Sequence, residues 1–322
     1  MKVGVDTSPL VQTRAGTARH VRGLLGALRN RPGLDLELLS FGGVGRASTV
    51  IRDVLWYPVG LGRSARALDV LHCTTFRGPT AGRVPTVLTV HDLAILRAPE
   101  AFPRWHRLYG RAGLRDVLRA ADAIVSVSEF SRAETVELAG VPAERIRVIP
   151  HGVDPVFTPD GARADGDYVL AVGTLEPRKN LARAVEAARE AGVDLRVVGA
   201  RGWGGVEADG WVGEIPDAGL AALYRGARCV LYPSLYEGFG LPVLEAMACG
   251  TPVVTSVGTA MEEVAGGAAI LVDPLDVAAI AHGIHEAAER RDQLVTAGLA
   301  RAGELTWEHA ADSVVELWSE LA

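Results

Sequence analysis

The sequence predicts an α/β protein built from two doubly wound domains, and three observations carry that prediction. Short apolar runs alternate with helical patterns from end to end. Unbroken β-branched runs joined by helices are the mark of parallel strands covered on both faces. The 322 residues exceed one ordinary core and suit two domains of about 150 residues each. The rhythm breaks once, at "PHGVDPVFTPDGARADGD" (150–167), whose three prolines, three glycines and four aspartates show no periodicity and read as an interdomain linker.

Each element follows from the same pattern. In the first half the strands are "KVGVD" (2–6), "LDLELLSF" (34–41), "DVLHC" (69–73), "TVLTVHD" (86–92), "DAIVSVS" (122–128) and "RIRVIP" (145–150), with helices near 16–30, 104–120 and 129–139. In the second half they are "YVLAVGT" (168–174), "DLRVVGA" (194–200), "GWVGEI" (210–215), "RCVLYPS" (228–234), "PVVTS" (252–256) and "AAILVD" (268–273). Helices there fall near 179–191, 217–226, 242–249, 275–290 and 306–320. In open sheets of this kind ligands bind beyond the carboxyl ends of the strands, so the cleft between two such domains is the expected site.

Composition narrows the function. Apolar residues make up 48% and charged residues 22%, which is globular. A net charge of -6 argues against a nucleic-acid partner. The three cysteines, Cys73, Cys229 and Cys249, have no metal-ligand spacing and read as buried, reduced thiols of a cytoplasmic protein. The opening "MKVGVDTSPL" enters a strand directly, without a leader pattern, and no run of about 18 apolar residues spans a membrane. A peripheral contact at the inner membrane face, through an amphipathic surface, stays open.

The most informative stretch is "EGFGLPVLEAMACG" (237–250). Pro242 suits the first position of a helix and Gly250 its end, which puts Glu237 in a loop and Glu245 in the first turn. Between them Gly238, Phe239, Gly240 and Leu241 offer backbone N–H groups in a bowl that suits an anion. The acids then accept hydroxyls on either side, the layout of a nucleotide sugar. Alone, Glu245 could merely complement the helix dipole and Glu237 could be a solvated loop acid. In "VGTLEPRKN", Arg178 and Lys179 stand at a strand-to-helix junction on the same sheet edge, where two cations can neutralise a diphosphate. His91, in "TVHDLA", sits at the carboxyl edge of a buried strand. Ser128 suits the cap of the helix after it.

"EGFGLPVLEAMACGTPVV" resembles the E-x7-E segment of the retaining glycosyltransferases of family 4, whose GT-B architecture sets two Rossmann-like domains face to face. The resemblance covers essentially the whole chain. It implies that Glu245 binds the ribose, that Glu237 faces the transferred sugar, and that Arg178 and Lys179, with Asn180 completing their pattern, bind the donor pyrophosphate. It further implies that Gly16 belongs to a glycine loop over the phosphates, although the second glycine of many relatives is here Ala18. His91 would lie near the donor sugar, and Gly213, Glu214 and Ile215 would meet the base through their backbone. The domains expected are residues 1–160 and 161–305, with the last helix, 306–322, crossing back to the first.

The activity so implied is transfer of a hexose, with retention, from a GDP- or UDP-sugar to a hydroxyl of a glycan, lipid-linked or small-molecule acceptor. The wording of "VGTLEPRKN" and "TVHDLA" is most similar to mannosyltransferases of polysaccharide assembly, which makes mannose the first candidate. There is no DxD motif in a plausible loop and no metal constellation, so neither metal nor other cofactor is expected. Two alternatives share the architecture: a sugar-nucleotide epimerase, and a catalytically silent relative that binds the nucleotide sugar.

Overall fold

A computed structural model describes all residues except 13–15, 30, 44, 98 and 100–112. The chain divides into two units: Met1–Gly152 together with Trp307–Ala322, and Val153–Thr306. The division falls earlier than the expected 160/161 boundary. The reason is local, since Phe157 packs edge-on against Tyr224 and Arg225 donates to the carbonyls of Thr158 and Ala162.

The first unit holds a parallel sheet of six described strands, β1 (Lys2–Asp6), β2 (Asp35–Leu39), β3 (Val70–Cys73), β4 (Thr86–Val90), β5 (Ala123–Ser126) and β6 (Ile146–Val148), in the order β2-β1-β3-β4-β5-β6. Side chains alternate between its faces, as the two-residue period of a strand requires. Val70, Val87, Ala123 and Val125 enter one core, while Leu71, Leu88 and Ile124 enter the other. Both faces are covered, which is why these strands read as unbroken apolar runs.

Among the helices of this unit are α1 (Gly16–Leu28), α2 (Leu114–Ala120) and α3 (Glu129–Ala139). In α1 the buried positions Val21, Leu24 and Leu28 repeat at three and four residues, the stripe of a helix lying on a core. Ser128 caps α3 by accepting from the Ser131 N–H over 3.0 Å. The part of the expected helix 104–120 before residue 113 lies outside the described residues. The stretch 46–64, for which the sequence suggested no element, is helical and contains Pro58. It leaves Val50, Ile51, Val54, Leu55 and Val59 exposed.

The second unit repeats the design with β7 (Tyr168–Val172), β8 (Asp194–Val198), β9 (Trp211–Gly213), β10 (Val230–Tyr232), β11 (Val253–Ser256) and β12 (Ile270–Val272), ordered β12-β11-β10-β7-β8-β9. Its helices are α4 (Leu181–Glu190), α5 (Asp217–Gly226), α6 (Leu241–Ala248), α7 (Ala260–Ala265), α8 (Val277–Glu289) and α9 (Arg291–Glu304). Two of them, α7 and α9, were not legible in the sequence. The strand order reverses between β7 and β10, so the loops leaving these strands diverge there and open the crevice where doubly wound sheets bind ligands.

The last helix, α10 (Trp307–Leu321), belongs to the first unit. Trp307, Val314, Leu317 and Trp318 join the core built by Val3, Leu24 and Val70. The fit on α1 is close: a Cβ on Gly23 would stand 2.1 Å from the Trp307 ring. Arg31 closes the edge with an ion pair to Asp312. Cys73, Cys229 and Cys249 are unpaired and buried. No helix among the described residues is long and apolar enough to cross a membrane.

Candidate active site

Two loops meet at the switch point of the second unit. The loop after β7 ends in a tight turn, Pro177–Lys179, followed by Asn180 in the left-handed region at φ 57°. That conformation costs a non-glycine residue on the order of 1–3 kcal/mol unless its surroundings hold it. They do, because the Asn180 side chain donates to the carbonyls of Pro233 (3.0 Å) and Pro274 (2.7 Å). The Leu235 N–H donates to the Arg178 carbonyl at 2.9 Å, which joins the two loops through their backbones. The second loop turns into α6 at Gly240, whose φ is 102° and where an added Cβ would stand 2.8 Å from the Met261 side chain. The helix begins at Leu241, so Pro242 is its second residue. It ends in paired bonds from Gly250 to Met247 and from Thr251 to Ala246, the hydrogen-bond pattern that satisfies a helix's last carbonyls.

These loops bring Arg178, Lys179 and Glu237 into direct contact. Glu237 accepts from Arg178 Nη1 (2.9 Å) and from Lys179 Nζ (2.6 Å). Arg178 also donates to Glu176 (2.7 and 3.1 Å) and to the Tyr236 carbonyl (3.1 Å). The Tyr232 hydroxyl stands between Lys179 Nζ (2.6 Å) and Glu237 Oε1 (3.1 Å). An ammonium only donates and a carboxylate only accepts, so Tyr232 accepts from Lys179 and donates to Glu237. Burial alone would raise the Glu237 pKa; Lys179 and Arg178 overcome it and bring it down to about 2. Burial pulls the Lys179 pKa down, but Glu237 and Tyr232 outweigh it and raise it. Tyr232 is pushed up to about 12, first by burial and then by Glu237. At neutral pH the cluster is therefore carboxylate, ammonium, guanidinium and neutral phenol.

Glu245 stands apart from this cluster. Because α6 starts at Leu241, Glu245 lies in its second turn, not in the first turn as expected, and a simple role with the helix dipole lapses. It is 3% exposed and accepts from the Tyr224 hydroxyl of α5 at 2.9 Å. Gly238, Phe239 and Gly240 are buried and Leu241 is half-buried. Gly213 closes β9 at φ 88°, with Glu214 exposed and Ile215 half-buried behind it.

The remaining predicted residues lie in the first unit, at the carboxyl edge of its own sheet. His91 directly follows β4. One ring nitrogen, Nε2, is 2.9 Å from the Thr74 carbonyl, and the other is 3.3 Å from His151 Nε2. His151 Nδ1 in turn is 3.1 Å from His20 Nδ1. Burial lowers the pKa of all three, most strongly at His20 and His151, so the rings are neutral. A carbonyl only accepts, and this settles every proton: His91 carries its proton on Nε2, His151 on Nε2 and His20 on Nδ1. The last nitrogen, His20 Nε2, is then a bare acceptor, and among the described residues it has no hydrogen-bond partner. Both nitrogens of His91 are engaged within the unit. Its ring can serve as acid or base only by breaking one of these bonds.

Gly16 opens α1 and is exposed. Ala18, where many relatives carry a second glycine, is fully buried, so its methyl belongs to the core. Among the described residues no group of three or more His, Cys, Asp or Glu is arranged to hold a metal ion.

Three residues escaped the sequence reading. Glu176 and Tyr232 complete the charged cluster; their signal was position, one beside Arg178 and the other at the last residue of a buried strand. Asp6 ends β1 at the switch point of the first unit, fully buried, with one carboxylate oxygen unpartnered among the described residues and the other accepting from Ser8. Burial raises its pKa against the Ser8 bonds.

Comparison with known proteins agrees with this architecture. Residues 14–157 match the family described as Glycosyltransferase Family 4, and residues 157–298 match Glycosyl transferases group 1. The chain is 35% identical over 267 residues to the O-antigen chain mannosyltransferase B of Escherichia coli, covering 73% of this chain and 70% of that one. It is 30% identical to a D-inositol 3-phosphate glycosyltransferase of Acidothermus cellulolyticus, covering 89% and 72%. Among solved structures, the sucrose-phosphate synthase of Thermosynechococcus elongatus superposes with a TM-score of 0.79 at 20% identity over 99% of this chain and 98% of that one. At that identity the likeness concerns the fold, which is GT-B.

Proposed function

The chain belongs to the family-4 glycosyltransferases, and from that premise we propose that it moves a hexose, mannose first among the candidates, from a GDP- or UDP-sugar to an acceptor hydroxyl with retention of configuration. The observation that carries this reading is the cluster of Arg178, Lys179 and Glu237 at the switch point of the second unit. Two cations there answer the charge that develops on a leaving diphosphate, the role a metal ion plays elsewhere. The acceptor oxygen forms its bond to the anomeric carbon on the face from which the phosphate departs, and that phosphate takes the hydroxyl proton. No enzymic nucleophile is required. Glu245 holds the ribose, and the backbone of Gly213, Glu214 and Ile215 meets the base. The backbone N–H groups of Gly238, Phe239, Gly240 and Leu241 serve the phosphates.

The relatives support mannose, and they support two kinds of acceptor, a growing glycan and a small phosphorylated polyol. The exposed apolar residues Val50, Ile51, Val54, Leu55 and Val59 support a lipid-linked acceptor and a peripheral contact with a membrane surface. The experiment is a donor screen. GDP-mannose, UDP-glucose and UDP-N-acetylglucosamine are offered with a panel of glycan, lipid-linked and inositol phosphate acceptors, and nucleoside diphosphate release and the anomeric configuration of the product are read. One donor giving an α-linked product from an α-linked sugar, in the presence of EDTA, is the expected result. Inverted product, or transfer lost with EDTA and restored by magnesium or manganese, overturns it.

A further inference from the structure

The cations assigned to the diphosphate are already neutralised by the protein. Arg178 and Lys179 bring two positive charges; Glu176 and Glu237 bring two negative ones, and all four meet within hydrogen-bond distance. Glu176 is 2% exposed and Glu237 is 7% exposed, so water screens these pairs little. The donors are also engaged. Arg178 gives its Nε, one Nη2 bond and both Nη1 bonds to protein oxygens. Lys179 gives two of its three bonds to Tyr232 and Glu237. On the other side, Glu237 has both oxygens on these partners, with three of its roughly four acceptor positions filled. A diphosphate that approaches meets a cluster of zero net charge, and a sugar hydroxyl that approaches meets a carboxylate largely in use.

We propose that Glu237 is an internal competitor of the donor's diphosphate, and that the exchange of partners makes diphosphate binding the precondition for recognising the sugar. The inference rests on the reading of this cluster as the donor site. As phosphate oxygens take bonds from Arg178 and Lys179, the carboxylate of Glu237 loses those bonds and becomes the acceptor for hydroxyls of the hexose. Until then the carboxylate is held by its own cations. Neutralising Glu237 thus improves the hold on the diphosphate while removing the contact to the sugar. A residue that only held the cations in place would do the reverse, since its loss would let them stray and weaken phosphate binding.

The test titrates GDP, UDP and inorganic pyrophosphate into the wild-type chain and into Glu237→Gln, read by calorimetry. The variant binds the preferred diphosphate tighter by on the order of tenfold, since each tenfold step corresponds to only about 1.4 kcal/mol, while transfer is lost. Equal or weaker binding by a folded variant overturns the proposal. A wild-type chain that binds none of the three probes removes the donor site itself, and the inference with it; a wild type that binds while the variant gains nothing overturns the inference alone. A second measurement needs no variant: free mannose and free glucose are titrated with and without saturating diphosphate. Hexose binding detected only with the diphosphate present is the expected outcome. Equal binding in both, or none in either, overturns the exchange.

Discussion

The phenol of Tyr224 donates to Oε2 of Glu245 over 2.9 Å and ties the second turn of α6 to α5. A carboxylate that is 3% exposed and oriented by a buried neighbour is preorganised for a specific partner. Glu245→Ala is expected to weaken binding of the nucleoside diphosphate by about 1–3 kcal/mol, the worth of hydrogen bonds to a charged group. Tyr224→Phe, which leaves the carboxylate but frees its orientation, weakens it less. Calorimetry on both variants checks the order; affinity unchanged in Glu245→Ala removes the ribose contact.

Arg178 and Lys179 are predicted to be separable in stability and turnover. Replacing both with Ala leaves Glu237 and Glu176 as buried carboxylates without a cation, a defect of about 3–5 kcal/mol for each. Adding Glu237→Gln and Glu176→Gln to the double variant should restore most of the lost stability and none of the turnover. Denaturant midpoints and initial rates, measured on the same preparations, decide it. Recovered turnover in the fourfold variant would mean that the cations matter only as partners of the acids.

The seating of α10 on α1 gives a packing prediction. Trp318→Ala removes a fully buried indole and should cost about 3–5 kcal/mol. Gly23→Ala should also destabilise, because its methyl would meet the Trp307 ring and both helices would have to part. Hydrogen exchange locates the effect: protection should fall in β1, α1 and β3 and persist in β7 and β10. Loss confined to the second unit contradicts the assignment of this helix.

Histidines set an acid limit. His20, His91, His151 and His72 all have folded-state pKa values below the ordinary 6.5, chiefly through burial, and His72 falls to about 3. Each takes up its proton on unfolding once pH drops below about 6.5. Stability is therefore lost as pH falls from there toward the folded-state value, and these groups contribute no pH dependence above about pH 6.5. The slope is about 1.4 kcal/mol per pH unit for each group. His72→Asn should flatten the curve between pH 6 and pH 4 by roughly that much; an unchanged slope in denaturant titrations refutes the buried, neutral state of His72.

Much of this was readable in the residues because burial on both faces leaves a strong imprint. Strands such as "TVLTV" and "YVLAV" had to be apolar throughout, and the linker had to be polar. The helix α9 was missed because its buried face is made of Leu294, Gly298 and Ala302, two of them small. Gly298 lets α6 approach until Met247 would stand 3.2 Å from an added Cβ, and a glycine carries no hydrophobic signal. The helical stretch 46–64 was hidden by Pro58, by its glycines and by apolar residues that face outward. At the site, the loops that carry Arg178, Lys179 and Glu237 were legible, but their ion pairing was not. Side-chain direction in a loop has no period, and Glu176 looked like any acid beside a proline turn.

The insertion of one unit into the other also has a consequence for synthesis. Residues 153–306 form a unit of uninterrupted sequence, whereas the core of Val3, Leu24 and Val70 is closed only by residues 307–321. A nascent chain emerges from its N-terminus at about 5–20 residues per second. The face of β1 and α1 that α10 covers therefore stays bare for roughly 10–30 seconds while the ribosome completes the second unit. During translation the second unit can reach its native state first, and the first unit depends on the ribosome's surroundings to keep that apolar face from finding another chain.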